Sequence, residues 1–494
     1  MEIEKFNFKS IQEVNEYRFK SITAQSKYFS SIIQGYVKVV SDDMIFYFDK
    51  NKKLWTKANK KQFEAFVYTW FDDTANLIKK LIKKSENIDE QVERETKLLI
   101  KQFDKKSYIN DIIERSFTTL YDVQFYTILD SQPSSMPILN GKKICLKTLK
   151  ITERTSSDYF TYESPVNFIE GKTPNADKFF KQLMPNKKAK EYLRKILGYS
   201  LSGETDARIF MVWFGHGSNG KTLLSRCLDL ILGPQYVQCD RSIFMKSKKS
   251  GGGATPELMA LMGKRMGVYS EGETSDHIEM NLSGLKQISG EDKITGRPLY
   301  CQQIEFYPYI KLHMLTNFTP PLNSEKAIKD RLRYIFFDAK FSENKDLKEG
   351  EIAVDKEFAN NLQTIFLSEI FTWIVKGAKE YYLDRKIEMP ESFKIRTNDI
   401  LSNEDSIKTF LDRKIQFGLS DKQHMKKLQI FELYKNFCNQ NSQRCQPRSS
   451  LFARLGELGC KLSTLHGYDV YRGIDIKDEI EEDEKSENEN VFLI

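Results

Sequence analysis

Residues 210–228, FMVWFGHGSNGKTLLSRCL, pass from an unbroken apolar run into a glycine-broken loop, then a lysine and a leucine-rich stretch. The run IFMVWF (209–214) reads as a strand buried on both faces, and TLLSRCLDLIL (222–232) as a helix. Between them Gly215, His216, Gly217, Ser218, Asn219, Gly220, Lys221 and Thr222 fit the pattern GxxxxGK[ST]. Glycine here lets the backbone take positive φ and come close to a ligand. Successive N–H groups and the positive end of the helix can then face the phosphates of a nucleotide. In that reading Lys221 reaches the β and γ phosphates and Thr222 offers its hydroxyl to Mg²⁺, so ATP and magnesium are the expected cofactors. His216 occupies a position that tolerates most residues and needs no catalytic role.

A loop of this kind announces a nucleotide and no particular function, so the rest of the site must choose. Strands alternate with helices from 208 to 338, as expected of an α/β domain with a largely parallel sheet. In KRMGVYSEGE a short apolar strand, Met266 to Tyr269, delivers Glu271 and Glu273 at its end. One carboxylate there can hold the Mg²⁺ shell, making Glu271 a metal candidate beside Thr222, and the other can polarise an attacking water. The strand IKLHMLTNF ends in Asn317, whose amide could orient that water or sense the γ-phosphate. IKDRLRYIFFDAKF puts Arg331 and Arg333 just before another buried strand. A helix follows with Phe358, Leu362, Ile365, Phe366, Ile370, Ile374 and Ala378 on one face.

With 494 residues, 40% hydrophobic and 29% charged, the chain has room for three or four domains. No apolar run is long enough to span a membrane, and MEIEKFNFKSIQE is too polar for a signal peptide. The expectation is a cytoplasmic or nuclear protein that is not secreted. Seven cysteines without a CxxC pair suggest neither a disulfide framework nor a zinc site. The net charge is +7, although residues 477–490 carry eight acids and two lysines. A basic body with an acidic, disordered tail hints at a polyanionic partner.

Upstream, MIFYFDKNKKLW reads as strands, LIKKLIKKSENIDEQVERETKLLIKQF as an amphipathic helix pair, and SSMPILNGKKICLKTLK as a turn and strands. NADKFFKQLMPNKKAKEYLRKILGYSL reads as two helices split at Pro185. Downstream, SIKTFLDRKI, KLQIFELYKNFCNQ and RSSLFARLGELG read as three short helices. CKLSTLHGYDVYRGIDI reads as two strands joined at His466-Gly467, which together give a winged helix. Arg448, Ser449, Arg454 and Lys461 would lie on its third helix or wing, where phosphate contacts are plausible.

The order of glycine loop, Glu pair, Asn and then Arg resembles the superfamily 3 helicases, AAA+ ATPases of DNA viruses, satellite phages and plasmids. GLKQISGEDKITGRPLY (284–300) is similar to that superfamily's additional motif, a hairpin that projects into the ring channel. Lys286, Asp292, Lys293 and Arg297 fall on its pattern, and Lys293 and Arg297 are candidates for tracking a DNA backbone. The resemblance is closest to the poxvirus and giant-virus primase-helicase group, over about residues 40–475. It implies an α/β fold with a P-loop AAA+ ATPase core, an N-terminal α+β region and a C-terminal winged-helix domain. The implied boundaries are 1–135 (N-terminal region), 136–203 (helical, oligomerisation), 204–345 (ATPase), 346–400 (helical extension), 401–476 (winged helix) and 477–494 (tail).

The same resemblance implies a homo-oligomeric ring, expected as a hexamer, that unwinds single-stranded and forked DNA substrates 3′ to 5′ at a replication fork. Arg331 would then be the arginine finger of the neighbouring subunit, with Arg333 supporting it. Asp330-Arg331 stands where the group usually has paired arginines, and neither a hydrophobic-Asp-x-Asp primase motif nor a zinc ribbon is present. Priming is therefore expected from a partner primase, with a replication polymerase as a further partner. Two alternatives stay open: a nucleotide-switched origin-binding or assembly factor, and a packaging ATPase that translocates on duplex DNA.

Overall fold

The structure, a computed structural model, describes residues 6, 8–41, 43–85, 88–246, 255–270, 280–297, 303–317, 329–344, 346–403, 406–420, 422–441, 445 and 448–477. The chain divides into two compact units, residues 1–318 with 330–390 and residues 319–329 with 391–494. The first is a mixed α/β unit. At its heart lie five parallel strands: β1 (Phe210–Phe214), β2 (Tyr236–Gln238), β3 (Met266–Ser270), β4 (Lys311–Thr316) and β5 (Leu332–Phe336). Their order across the sheet is β5-β1-β4-β3-β2. Phe210 to Trp213 are fully buried, because β1 has a hydrogen-bonded neighbour on each side and packed layers above and below.

Helices α1 (Pro174–Leu183) and α2 (Lys187–Leu201) precede β1, and α3 (Lys221–Leu232) follows it. Helix α4 (Leu282–Ile288) runs toward a short antiparallel pair, Ile294–Gly296 with Ile304–Phe306. After β5 come α5 (Lys356–Leu362) and α6 (Leu367–Asp384). The sequence reads 358–378 as one helix, but the backbone breaks between α5 and α6. Phe366 N–H turns back to Asn361 O at 2.8 Å, and Ile365, expected on the apolar face, is 73% exposed. The strands expected in 134–150 form as two antiparallel strands at 135–138 and 142–145, joined by a third at 151–153, so the region 136–203, given as helical overall, becomes helical only from α1 onward apart from a short 3-10 turn at 156–158. The upstream strands at 44–49 and 54–58 and the helix at 90–103 lie where the hydrophobic pattern places them, whereas the first helix of the expected pair, read from residue 77, already begins at Lys60.

Polar groups pin the layers together. His313 on β4 is buried between Trp213, whose Nε1–H donates to Nδ1 at 3.0 Å, and Ser200 of α2, 3.0 Å from Nε2. With Nδ1 accepting, the proton sits on Nε2, and burial with the nearby Lys311 charge pushes the imidazole down to about 3. It is therefore a neutral strut. At the end of the sheet where β4 begins, two buried cations grip main-chain carbonyls. Lys311 bonds to Ser202 O, to Tyr309 O at 2.8 Å and to Glu204 O at 3.4 Å. Arg265 bonds to Leu201 O, Gln132 O and, at 2.8 Å, Ser135 O. These carbonyls tie the end of α2 and the 132–135 segment to the sheet.

Helices α2 and α6 cross backbone against backbone. A Cβ on Gly198 would stand 2.1 Å from Ala378 N, and one on Gly377 2.1 Å from Arg194 O. Alongside, the rings of Phe180 and Trp373 stack with centroids 3.6 Å apart.

The second unit has its own apolar core, including Phe410, Tyr434, Phe437, Leu451, Leu455 and Tyr471. Helices at 406–414, 427–440 and 448–457 pack with a three-stranded antiparallel sheet in which 468–472 lies between 424–426 and 462–465. The turn between the last two strands places His466 at φ 49° and Gly467 at φ 81°, the left-handed pair a tight hairpin needs. A further pair, 415–417 with 474–476, was not expected from the sequence. Among the described residues no helix is long and apolar enough to cross a membrane.

The close helix crossing is testable. Gly198→Ala or Gly377→Ala should destabilise the protein by about 1–3 kcal/mol or more in denaturant titrations, because a backbone neighbour cannot rotate away. Gly217→Ala, whose Cβ would meet nothing within 4 Å, should leave stability unchanged.

Candidate nucleotide and nucleic-acid sites

The loop 215–220 leaves β1 where the strand ends beside Thr316 of β4 and Phe336 of β5. Its path is tightly determined. A Cβ on Gly215 would lie 2.3 Å from Asn219 Nδ2 and 2.5 Å from Phe337 O. Ser218 takes φ 54° and Gly220 φ 82°, and a Cβ on Gly220 would also strike Leu183 at 2.4 Å. The Asn219 amide is buried and donates to His216 O and Phe337 O, both at 3.3 Å. Asn219 thus braces the loop from inside. Gly220 caps α3 from the left-handed region without a side-chain hydrogen bond, which leaves first-turn N–H groups of that helix for another acceptor.

Lys221 is buried at the base of this loop. Its Nζ donates to Gly215 O at 2.6 Å, Asn317 Oδ1 at 3.1 Å and Asn219 Oδ1 at 3.2 Å. The sequence-predicted Lys221 and Asn317, 96 positions apart, therefore meet. Burial lowers the Lys221 ammonium from its ordinary range to about 8. Thr222 is exposed on the first turn of α3, as are His216 and Gly217 in the loop. Strand β3 ends at Ser270, and its neighbour in register is Leu315 of β4, one strand removed from β1. Glu271 and Glu273 lie outside the described residues. Among the described residues no cluster of three His, Cys, Asp or Glu side chains could hold a metal ion.

Arg331 is brought elsewhere. It precedes β5 beside Phe210, at the opposite end of the strands from the loop, about 15 Å away at the usual strand rise. Its Nη1 donates to Lys286 O at 3.0 Å and Ser289 Oγ at 3.1 Å, at the end of α4. Arg333 lies within β5, not before it, and its Nη1 bonds to Asp330 O at 2.7 Å and Leu332 O at 3.0 Å. Lys286 is half-buried on α4, whereas Asp292 and Lys293, just before the antiparallel pair, and Arg297, just after its first strand, are exposed. Lys293 Nζ stands 5.5 Å over the exposed ring of Tyr307, an aromatic the sequence reading did not single out.

In the second unit Arg448 lies over the rings of Phe431 and Phe452, at 5.7 and 5.5 Å. Arg454 is paired with Glu457 at 2.7 Å, and Lys461 sits just before the strand 462–465.

A parallel sheet with a glycine loop at one end, opening a helix over a buried lysine, defines an α/β protein with a candidate anion site. No family model matches the chain. It is similar to the protein named "Putative helicase" of Acanthamoeba polyphaga mimivirus, 30% identical over 249 residues, 49% of this chain and 26% of that one. Similarity extends to a "Putative helicase" of Frog virus 3 (26% identical, 37% of this chain and 19% of that one). A "Putative primase" of African swine fever virus is 23% identical over 47% of this chain and 25% of its own length. The chain thus spans about a quarter of the length of these relatives, which are helicase- and primase-named proteins of large DNA viruses. Among solved structures it is similar to the apo A form of the NrS-1 C-terminal region, at 10% identity, TM-score 0.43, covering 87% of this chain and 93% of that one.

The lowered lysine gives a prediction with a definite sign. An anion in the loop raises the Lys221 pKa, so above about pH 8 binding must take up a proton and affinity must fall as pH rises. Calorimetric titration with inorganic triphosphate should weaken from about pH 7 to pH 9 in the wild type more steeply than in Lys221→Arg, which stays charged. Parallel profiles would contradict this assignment.

Proposed function

We propose that this chain is a P-loop ATPase of the AAA+ superfamily 3 kind that couples ATP hydrolysis to movement along DNA, unwinding duplex 3′ to 5′. The observation that carries the reading is the loop 215–222. A parallel strand, two left-handed residues, an uncapped helix start and a buried lysine tied to Asn317 converge at one end of the sheet. This donor set fits a nucleoside triphosphate. Main-chain amides of 217–222 would receive the phosphates, and Lys221 would exchange its bond to Gly215 O for a phosphate oxygen. Magnesium, when bound, neutralises charge on the β and γ oxygens. Thr222, exposed at the first turn, and Glu271, the residue that follows β3 in sequence, are the residues proposed to hold it, and Glu273 is proposed to polarise the attacking water. Asn317, already in contact with Lys221, would orient that water.

The remoteness of Arg331 from its own loop supports use in a neighbouring subunit's site, within a homo-oligomeric ring proposed as a hexamer. Its two bonds to the end of α4 offer a path of coupling. A guanidinium drawn toward a partner's γ-phosphate pulls on the helix that leads to Lys293 and Arg297, the residues proposed to follow the DNA backbone. In the second unit, three helices beside an antiparallel sheet support a winged helix, with Arg448, Arg454 and Lys461 proposed as phosphate contacts. Similarity to helicase- and primase-named viral proteins favours DNA as the polymer and a replication primase or polymerase as partner.

Three measurements test this reading. Single strands should stimulate ATP hydrolysis and forks should need a 3′ tail; stimulation by duplex alone would point to packaging instead. Glu271→Gln should bind nucleotide normally but lose hydrolysis by about 10³-fold or more. Mixed rings of Lys221→Ala and Arg331→Ala subunits should recover part of the activity that each lacks alone, and failure at every mixing ratio would exclude a shared site.

A further inference from the structure

We propose that the cavity behind the glycine loop is a nucleobase pocket that selects adenine through the side-chain amide of Gln182, with Phe341 as the stacking surface. The inference rests on the nucleotide reading of the loop and goes beyond it by naming what reads the base. The cavity measures about 490 Å³, within the range of small-ligand sites. It shares Ser218, Gly220 and Leu223 with the loop and the first turn of α3. Its other walls come from α1, the segment after β5, and α5.

A triphosphate held along the loop, with its γ end at Lys221, carries its α-phosphate and sugar away from that lysine. The space next to Leu223 and Gly220 is this cavity. Phe341 is anchored there by its N–H, which donates to Ser218 O at 2.8 Å. The edge of its ring lies 3.5 Å from where a Gly220 Cβ would be. The ring is half-exposed and makes no aromatic contact among the described residues, so one of its faces can accept a base. Phe358, across the cavity, is by contrast engaged, with Lys178 Nζ 4.2 Å over its ring.

The polar groups of the cavity separate into committed and uncommitted. Glu343 pairs with Lys356 at 3.1 Å, and Asp355 caps α5 by accepting from Phe358 N–H at 2.8 Å. Gln182, at the last turn of α1 and half-buried, makes no side-chain hydrogen bond among the described residues. A carboxamide presents one donor and one acceptor side by side. Adenine matches that pair along its N6/N7 edge, where guanine offers two acceptors and leaves the Gln oxygen unmatched. The pocket is built between helices that flank the loop in sequence on both sides, so base and phosphates are held by one subunit.

Calorimetry on the full chain with ATP, GTP and inorganic triphosphate, each with Mg²⁺, separates this inference from the reading it rests on. ATP should bind at least about tenfold tighter than GTP. Gln182→Met, which keeps the length and loses the amide, should bring the two within about threefold while triphosphate affinity stays unchanged. Phe341→Ala should weaken ATP and GTP alike by about tenfold, with Phe341→Tyr restoring both. Unchanged triphosphate binding also certifies that each variant is folded. Equal affinities for ATP and GTP in the wild type, a preference for GTP, or a preference that survives Gln182→Met would overturn the base pocket and leave the phosphate loop standing. If triphosphate and nucleotides all fail to bind, the loop reading falls and the base pocket with it.

Discussion

The geometry of the first unit depends on one backbone constraint: a fully buried parallel strand must turn into a helix within seven residues and still leave its amides free. Residues with side chains could make the turn only by filling it. At Gly215 and Gly220 the space a Cβ would need is taken by Phe337, Asn219 and Leu183, and Gly220 adds a left-handed φ. The turn is then held from within, by Asn219 to Phe337 O just past the end of β5 and by Lys221 to the first residue of the loop. A loop held in this way before any ligand arrives has little ordering left to do on binding.

The opposite end of the same sheet carries the scaffold. Burying Arg265 and Lys311 is costly unless their charge is answered, and apart from Tyr309 O the carbonyls that accept from Arg265 Nη1 and Nη2 and from Lys311 Nζ come from segments far away in sequence, while Arg265 Nε is left without a partner. The cations thereby bind the N-terminal segments to the sheet through groups that any sequence possesses. His313, kept neutral by burial, does the same between β1, β4 and α2. One end of the strands is thus spent on rigidity while the other presents the loop. Arg331 sits at the same end as these struts, bonded to the end of α4.

Much of the site was legible before any coordinates because local rules specify it. The GxxxxGK[ST] spacing fixes a strand, a left-handed turn and a helix start, and the structure has Gly220 at φ 82° just before a helix that begins at Lys221. Strand 266–270, strand 311–316 and the His466-Gly467 turn follow from apolar runs and turn chemistry in the same way. The expectation of one continuous helix over 358–378 failed because periodicity is blind to the return of Phe366 N–H onto Asn361 O. Arg333, expected just before the strand, lies within it, because its alternation with the buried Leu332 and Tyr334 makes it part of the strand.

What the sequence determined by itself is what neighbouring residues decide among themselves: the buried strand, the phosphate-type loop, the helix that follows and the order of the acidic, amide and arginine positions. Which of those positions meet was left to the tertiary structure. Lys221 touches Asn317 only because β4 lies beside β1, Arg331 is kept from the loop because β5 presents its opposite end, and Gln182 faces a cavity only because α5 packs across from α1. The reason is physical: local conformation is set by sterics and hydrogen bonds within a few residues, whereas adjacency in a parallel sheet is set by how layers bury their apolar faces, which no short stretch of sequence contains.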